Sequence, residues 1–511
     1  MYSKIHTAIV EGIHTRPILV EVDISSGMPS FEMVGQLSTE VREGKERIRT
    51  ALHSIGVILP PKRITVNLSP AHIRKNGTGF DLPIAIAILQ SIGLIEEESC
   101  KNRIFVGELG LNGQILAVNG VLPIVSDGVK AQIQDYIIPE ENKSEGKLVK
   151  SANIFAFSHL NDVIAFLNGK PYEENSMEMQ ELEEMLHKDF SEVCGQPFLK
   201  RACEVAAGGM HNMLLVGPPG AGKTMIAERL ATILPPMTEE ERLELSKIYS
   251  VCGMLKNKKN LMKHRPFRSP HHTITIAGLT GGGAIPKPGE ISLAHSGVLF
   301  LDELPEFQKN TIEILRQPLE EHEIRLVRSS MSVTYPANFL LLAAMNPCNC
   351  GYYPDMNRCR CSLPSLQRYR DRISQPLLDR IDICVEAPTI SFKDLHQKAN
   401  KTAESSAQIQ KRVLVAHQIQ YERYKTLGFL HNSHIPSSLL DEYCYLGPKE
   451  ERFMEDVYEK MALTARTYHK ILRVARTIAD LNEEKDISIA HLQEAICYRN
   501  IDWKFWGGQQ S

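Results

Sequence analysis

Long apolar runs are absent from this 511-residue chain. A membrane-spanning helix needs about 18 or more uninterrupted apolar residues, and the most apolar stretch, Phe80 to Ile92, is interrupted by Asp81, Pro83 and Gln90. A secretory signal is missing too: the opening MYSKIHTAIVEGIHTRP has neither an apolar core nor a small-residue cleavage site. These two absences predict a cytoplasmic protein with no membrane partner. Neither charge is in surplus, with 58 Lys and Arg against 61 Asp and Glu for a net −3. That balance excludes nucleic-acid binding through bulk positive charge and leaves room for a local basic patch or a lined pore. Internal repeats and low-complexity tracts are also lacking. What remains is an ordinary globular composition, 43% hydrophobic and 23% charged, and a length that predicts about three domains. Eleven cysteines without a signal point to reduced thiols or metal ligands rather than a disulfide framework.

Residues 1–168 alternate short β-rich runs, such as ILVEVDIS and RITVNLS, with one helical pattern from Gly79 to Ile92. A hairpin follows in IFVGELGLNGQILAV, turning at Asn112-Gly113. Residues 169–188 are acidic and poor in strand formers, as expected of a linker that ends as an exposed helix. Between 189 and 388, apolar strands, glycine loops and helices alternate as a parallel α/β sheet requires. From 389 to 511 the periodicity is helical, as in QKRVLVAHQIQYERY and ARTYHKILRVARTIADL. The expected architecture is a mixed α/β module, an α/β core and a helical lid.

Within the core, MLLVGPPGAGKTMIAERLA holds G-x-x-x-x-G-K-T from Gly217 to Thr224, between an apolar strand and a helical run. Glycines let backbone amides curl around phosphates, and the helix N-terminus adds partial positive charge. Lys223 is placed to reach the β- and γ-phosphates and Thr224 to ligate Mg²⁺. The strand GVLFLDE ends in Asp302 and Glu303, one to hold Mg²⁺ and one to polarise the attacking water. Alone, an apolar run ending in two acids reads as a solvated strand end; after a phosphate loop it gains meaning. A third strand, FLLLAAMN, ends at Asn346, either positioning water near the γ-phosphate or capping the strand.

NPCNCGYYPDMNRCRC sets Cys348, Cys350, Cys359 and Cys361 in a C-x-C-x₈-C-x-C pattern. Four thiols so close, with Gly351 and Pro354 favouring a turn between the pairs, suggest a closed four-thiolate Zn²⁺ site. Free buried thiols and a redox-sensitive pair are the alternatives. The other seven cysteines are scattered and read as core fillers.

The chain resembles the YifB/ComM family of magnesium-chelatase-like AAA+ ATPases. The matching segments are DFSEVCGQ, GPPGAGKT, PFRSPHHT, GEISLAHSGVLFLDELPEF, AAMNPCNCG, SQPLLDRIDI and TARTYHKILRVARTIADL. The resemblance implies that Val193, Gly195 and Gln196 lie near adenine and that Gly217, Pro218, Pro219, Gly220, Ala221, Gly222, Lys223, Thr224 and Met225 enclose the phosphates. It makes Asn346 the sensor-1 residue, Arg380 an arginine finger reaching a neighbouring subunit, and Arg466 the sensor-2 arginine closing from the lid. A guanidinium suits the charge that spreads over γ-phosphoryl oxygens; the plainer alternative for Arg380 is a surface pair with Asp379 or Asp382. A finger in trans implies a homo-oligomer, in rings of this type usually a hexamer.

The first module of that family is similar to the Lon protease domain. Where Lon reads Lys-Asp-Gly-Pro-Ser-Ala-Gly, this chain reads Lys75-Asn76-Gly77-Thr78-Gly79-Phe80-Asp81. Glycine replaces the nucleophile and Thr78 is out of register, so the module is expected to build the ring or contact DNA rather than cleave peptides. EEHEIRLVRSSMSVTYPANF reads as a hairpin whose Arg325 and Arg328 either grip DNA backbone in a pore, as the resemblance implies, or sit solvated on an edge. Arg368, Arg370 and Arg372 offer a further contact or a subunit interface. The family-level expectation is a hexameric ATP-driven DNA motor acting on recombination intermediates during natural transformation. The alternatives are a magnesium-chelatase-like ATPase and a protein-remodelling machine, for which Tyr335 and Phe339 are the available pore aromatics. The pair His271-His272 is expected to be an incidental feature of a loop.

Overall fold

A computed structural model describes residues 1–174, 188–255, 260–283, 285–328, 331–389 and 404–499. Most of the expected acidic linker and its helix lie outside the described residues.

The N-terminal sheet has seven strands in the order β3-β4-β2-β1-β5-β8-β9. They are β1 (Tyr2–Glu11), β2 (His14–Ser25), β3 (Ser30–Val34), β4 (Arg63–Ser69), β5 (Arg103–Phe105), β8 (Asp135–Pro139) and β9 (Asn153–Phe157). The short hairpin β6 (Glu108–Leu109) and β7 (Ile115–Leu116) forms at the expected Asn-Gly turn. The helix read from the apolar run is Asp81–Ser91, nearly all of it buried. Four further helices, Thr39–Ser54, Val121–Lys130, the single turn Lys143–Gly146 and Leu160–Leu167, correct the expectation of one. The first is capped by Ser38, whose Oγ accepts from the Val41 N–H.

The central sheet is wholly parallel, in the order β11-β14-β17-β10-β18. Its strands are β10 (Met213–Val216), β11 (Phe267–Arg268), β14 (Val298–Leu301), β17 (Leu340–Met345) and β18 (Ile383–Glu386). MLLV, VLFL and LLLAAM are buried at every position. Runs without polar alternation form such strands because helices cover both faces of a parallel sheet. Two excursions leave it: β12 (Gly281–Gly282) with β13 (Lys287–Pro288), and the hairpin β15 (Glu323–Arg328) with β16 (Met331–Pro336).

Helices Ser406–Tyr424, Pro448–Lys460, Ala465–Leu481 and Ile489–Cys497 follow. They share one apolar core with the central sheet, in which Val205 and Leu230 meet Val413 and Ile478. The N-terminal part docks through Val121–Lys130 against the helix Glu239–Val251. There Lys247 reaches Asp127 at 2.7 Å, the Gly120 N–H donates to the Ser250 carbonyl, and the buried Glu145 accepts from the Leu122 N–H and the Ser250 hydroxyl. Burial raises the Glu145 carboxyl above its ordinary range, against those hydrogen bonds. No helix among the described residues is long and apolar enough to cross a membrane.

Asp480 is fully buried in the C-terminal helices, facing Arg423 at 2.6 Å and Arg476 at 3.1 Å, with an amide hydrogen bond from Asn432 at 2.8 Å. Asp480→Ala strands two guanidiniums without their counter-charge and is expected to cost about 3–5 kcal/mol. Denaturant unfolding of the variant against the parent measures it.

Candidate nucleotide site and thiolate cluster

Strands β10, β14 and β17 lie side by side and parallel, so their carboxyl ends open on one crevice, where open α/β sheets place ligands. The loop Gly217–Thr224 follows β10, Asp302 and Glu303 follow β14, and Asn346 follows β17. A cavity of about 360 Å³ is lined there by Pro219 to Met225, Asp302, Glu303, Met345 and Asn346. Gly217 permits the loop to leave the sheet, since a Cβ on it would fall 2.3 Å from the Ala387 carbonyl oxygen.

The helix Lys223–Ile233 begins at the loop's end, with Gly222 in the left-handed region as its cap. The Lys223 ammonium donates to the carbonyls of Gly217 at 2.7 Å and Pro218 at 3.0 Å and to Asn346 Oδ1 at 3.1 Å. Burial holds it below the usual lysine range, while Asp302 and Glu303 pull the other way. The Thr224 hydroxyl donates to Asp302 Oδ2 at 2.9 Å, and Asp302 Oδ1 accepts from the Glu303 N–H at 2.9 Å. Glu303 has φ +51°, an unusual backbone for a non-glycine residue. Its carboxylate lies 3.6 Å from His272 Nδ1. His272 is stacked on His271 with ring centres 4.0 Å apart, so the histidine pair read as incidental stands beside one of the site's two acids.

Other candidates lie apart from this cavity. Val193 is buried, and Gln196 binds the back of the loop, its amide donating to the carbonyls of Ala221 at 3.2 Å and Pro388 at 2.8 Å. Gly195 and Gln196 both take positive φ, 63° and 56°. Arg380 pairs with Glu320 and donates to the Pro376 carbonyl, so neither Asp379 nor Asp382 is its partner in the chain. Asp379 instead accepts from the exposed Arg466 at 2.9 Å, and Asp382 faces His211 at 3.1 Å. Neither arginine lines the cavity of its own chain. Tyr335 and Phe339 are buried, the Tyr335 hydroxyl donating to the Pro286 carbonyl at 2.8 Å, which removes them as pore aromatics. Arg325 on β15 is exposed and pairs with Glu323; Arg328 at the strand's end is also exposed. Of the three further arginines, Arg370 lies over the Tyr353 ring, Arg372 pairs with Glu306 at 2.9 Å, and Arg368 donates to the Pro364 carbonyl at 3.3 Å.

The four cysteines converge. Their sulfurs all lie within 4.8 Å of one another, with Cys348 at 3.3 Å from Cys350 and 3.8 Å from Cys359. A tetrahedron of Zn–S bonds near 2.3 Å has edges of about 3.8 Å, so the sulfurs are spaced as that ion requires and too far apart for a disulfide. Burial pushes the Cys350 thiol up, but N–H groups of Tyr352 and Arg360 and the Cys348 and Cys361 thiols outweigh it and bring it to about 6. The Cys361 N–H lowers Cys359, yet burial and the neighbouring thiols drive it to about 12. One thiolate supported by its neighbours is the electrostatics a soft cation takes over.

Comparison with known proteins covers the same ground. The model described as "Magnesium chelatase, subunit ChlI" matches residues 189–395, "Subunit ChlI of Mg-chelatase" residues 20–142, and "Magnesium chelatase, subunit ChlI C-terminal" residues 403–499. The YifB protein of Salmonella typhimurium is 42% identical over 498 residues, 98% of this chain and 97% of its own. The competence protein ComM of Haemophilus influenzae is 41% identical over 495 residues, 96% of this chain and 95% of its own. A shorter match at 24% identity over 165 residues joins 32% of this chain to 35% of the DNA repair protein RadA of Halalkalibacterium halodurans.

If the cavity holds nucleotide, Lys223→Ala removes charged hydrogen bonds to phosphate and weakens Mg²⁺-ATP binding about 10–100-fold. Titration with a fluorescent ATP analogue reads the change, and unaltered affinity contradicts the assignment.

Proposed function

Because the chain belongs to the YifB/ComM family of magnesium-chelatase-like AAA+ proteins, we propose that it is an ATP-hydrolysing ring motor, hexameric and acting on DNA in the manner of a branch-migration helicase. The observation that carries the reading is the crevice where Lys223, Thr224, Asp302, Glu303 and Asn346 meet at three adjacent strand ends. Two relatives, a competence protein and a DNA repair protein, support DNA as the client in recombination or transformation.

In this reading the loop amides and the Lys223 ammonium hold the β- and γ-phosphates. The Thr224 hydroxyl and Asp302 carboxylate are the hard oxygen donors that would hold Mg²⁺, an ion that would supply charge neutralisation for the phosphates. Glu303 orients the attacking water and takes its proton, with His272 fixing the carboxylate's direction. Asn346, whose Oδ1 accepts a hydrogen bond from the Lys223 ammonium, has its side-chain N–H groups left to donate to the γ-phosphoryl oxygens. Val193 and Gly195 border the adenine. Arg380 serves the neighbouring subunit's site, and Arg466 closes from the C-terminal helices acting as a lid. The four sulfurs are soft donors at tetrahedral spacing and hold Zn²⁺ in a closed structural site.

The N-terminal module is Lon-like without Lon chemistry. Gly79 stands at the nucleophile's position, and the neighbouring Thr78 hydroxyl is engaged by Glu108. The hairpin β15–β16 offers the exposed Arg325 and Arg328 to phosphates. A magnesium-chelatase-like role is the alternative, favoured by the description of the matching family.

Steady-state ATPase assays with single-stranded, duplex and four-way-junction DNA at two salt concentrations separate these readings, with Glu303→Gln as the blank. The motor predicts DNA stimulation that weakens as salt rises; a robust rate indifferent to all three points to a tetrapyrrole or protein client. Arg380→Ala is expected to abolish turnover while leaving ATP binding nearly intact, and unchanged turnover removes the finger assignment.

A further inference from the structure

The cysteine cluster lies against the nucleotide crevice rather than at the periphery. Only Pro347 separates Asn346, whose side chain receives the Lys223 ammonium, from Cys348. Gly351, in the turn that follows Cys350, meets the phosphate loop: a Cβ on it would fall 2.6 Å from Pro219 Cδ, and its φ of +85° is one that glycine adopts without strain. Pro219 is itself a wall of the cavity. The Tyr353 N–H donates to Cys348 Sγ at 3.4 Å, tying the turn to the cluster. The helix Leu363–Arg370 closes the circuit, with Leu366 packed on the cysteines and Tyr369 buried in one apolar cluster with Met345, the residue before Asn346.

We infer that the four-cysteine knuckle is a positioning device for ATP hydrolysis, a metal-set brace that holds Asn346 from one side and Pro219 of the phosphate loop from the other. None of the cysteines lines the cavity. They act through Asn346 and Pro219, whose displacement by about 1 Å suffices to slow a reaction that depends on alignment. The inference rests on the four thiolates holding Zn²⁺ and on the ATPase reading of the crevice. It adds that metal occupancy governs turnover more than nucleotide affinity, because hydrolysis depends on how Asn346 is aligned at the γ-phosphate, whereas most of the phosphate-binding amides lie beyond Pro219, from Gly220 to Thr224.

The test uses the full-length chain and reads four quantities: zinc content, melting temperature, affinity for a fluorescent ATP analogue, and kcat. Zinc is withdrawn with a soft-metal chelator that leaves Mg²⁺ in solution, then restored. The expected result is about one zinc per chain, a fall in kcat of roughly tenfold or more on withdrawal, affinity changed by less than about threefold, and recovery on zinc addition. Gly351→Ala is the second arm, since it keeps all four thiols and pushes on Pro219. It is expected to retain zinc and nucleotide affinity and to lose kcat to a similar degree. Parental kcat in a zinc-loaded, folded Gly351→Ala chain overturns the coupling. Absence of zinc from active protein overturns the metal's part in it. An inactive parent carrying a full complement of zinc counts against the ATPase reading instead.

Discussion

Three strands buried on both faces set the conditions for everything at the crevice. Because β10, β14 and β17 carry no polar residue to turn outward, they pair only in the interior of a covered parallel sheet. Their register, Leu215 opposite Ala344 and Ala343 opposite Leu301, brings their ends to one level. The crevice is then cross-tied by two short contacts, Lys223 to Asn346 and Thr224 to Asp302. The first joins the phosphate loop to the adjoining strand β17, the second to β14, one strand further on. A one-residue slip in either pairing would turn the strand's side chains to the other face and separate these groups.

Charge is distributed outward from that point in a consistent way. The cation in the crevice is buried, and the two candidate arginines of the reaction sit outside it, linked through consecutive residues: Arg466 on Asp379, and Arg380 on Glu320. The anchor of Arg466, Asp379, is the residue next to Arg380, so the two arginines stand close on one surface. The hairpin β15–β16 is held at its base by a cluster in which Ile13 and Leu122 of the N-terminal part meet Leu245, Val333 and Tyr335 of the core. The N-terminal part and the hairpin are therefore packed as one unit.

What the sequence disclosed follows from how local each signal is. The strand, loop and helix around Gly217–Thr224 are contiguous, and the same holds for the hairpin at Asn112-Gly113 and the helix Ala465–Leu481. In the first strand, Tyr2–Glu11, Ser3 and Thr7 occupy inward positions that apolar residues usually mark, so its pattern is weak; Ser3 is accommodated by donating to the Ala87 carbonyl at 2.6 Å. The cysteine spacing announced a cluster, yet nothing in the spacing told that Gly351 would rest on Pro219, far back in the chain. Likewise Arg380 found Glu320, 60 residues away, instead of the acids beside it, because Asp379 and Asp382 are committed to Arg466 and His211. Periodicity finds the elements, and long-range partners depend on which strand ends the sheet makes neighbours.

In the proposed motor one chain's crevice is completed by another chain's arginine, and mixing two inactive variants reveals whether it is. Glu303→Gln chains keep Arg380 but have no group to activate water, whereas Arg380→Ala chains keep the acid and lack the finger. Each is expected to be inactive alone. Mixed and allowed to assemble, they create some crevices with an intact Glu303 facing an intact Arg380, and ATP turnover reappears in proportion to the mixed interfaces. Mixed assemblies that remain as inactive as either variant alone would contradict the account.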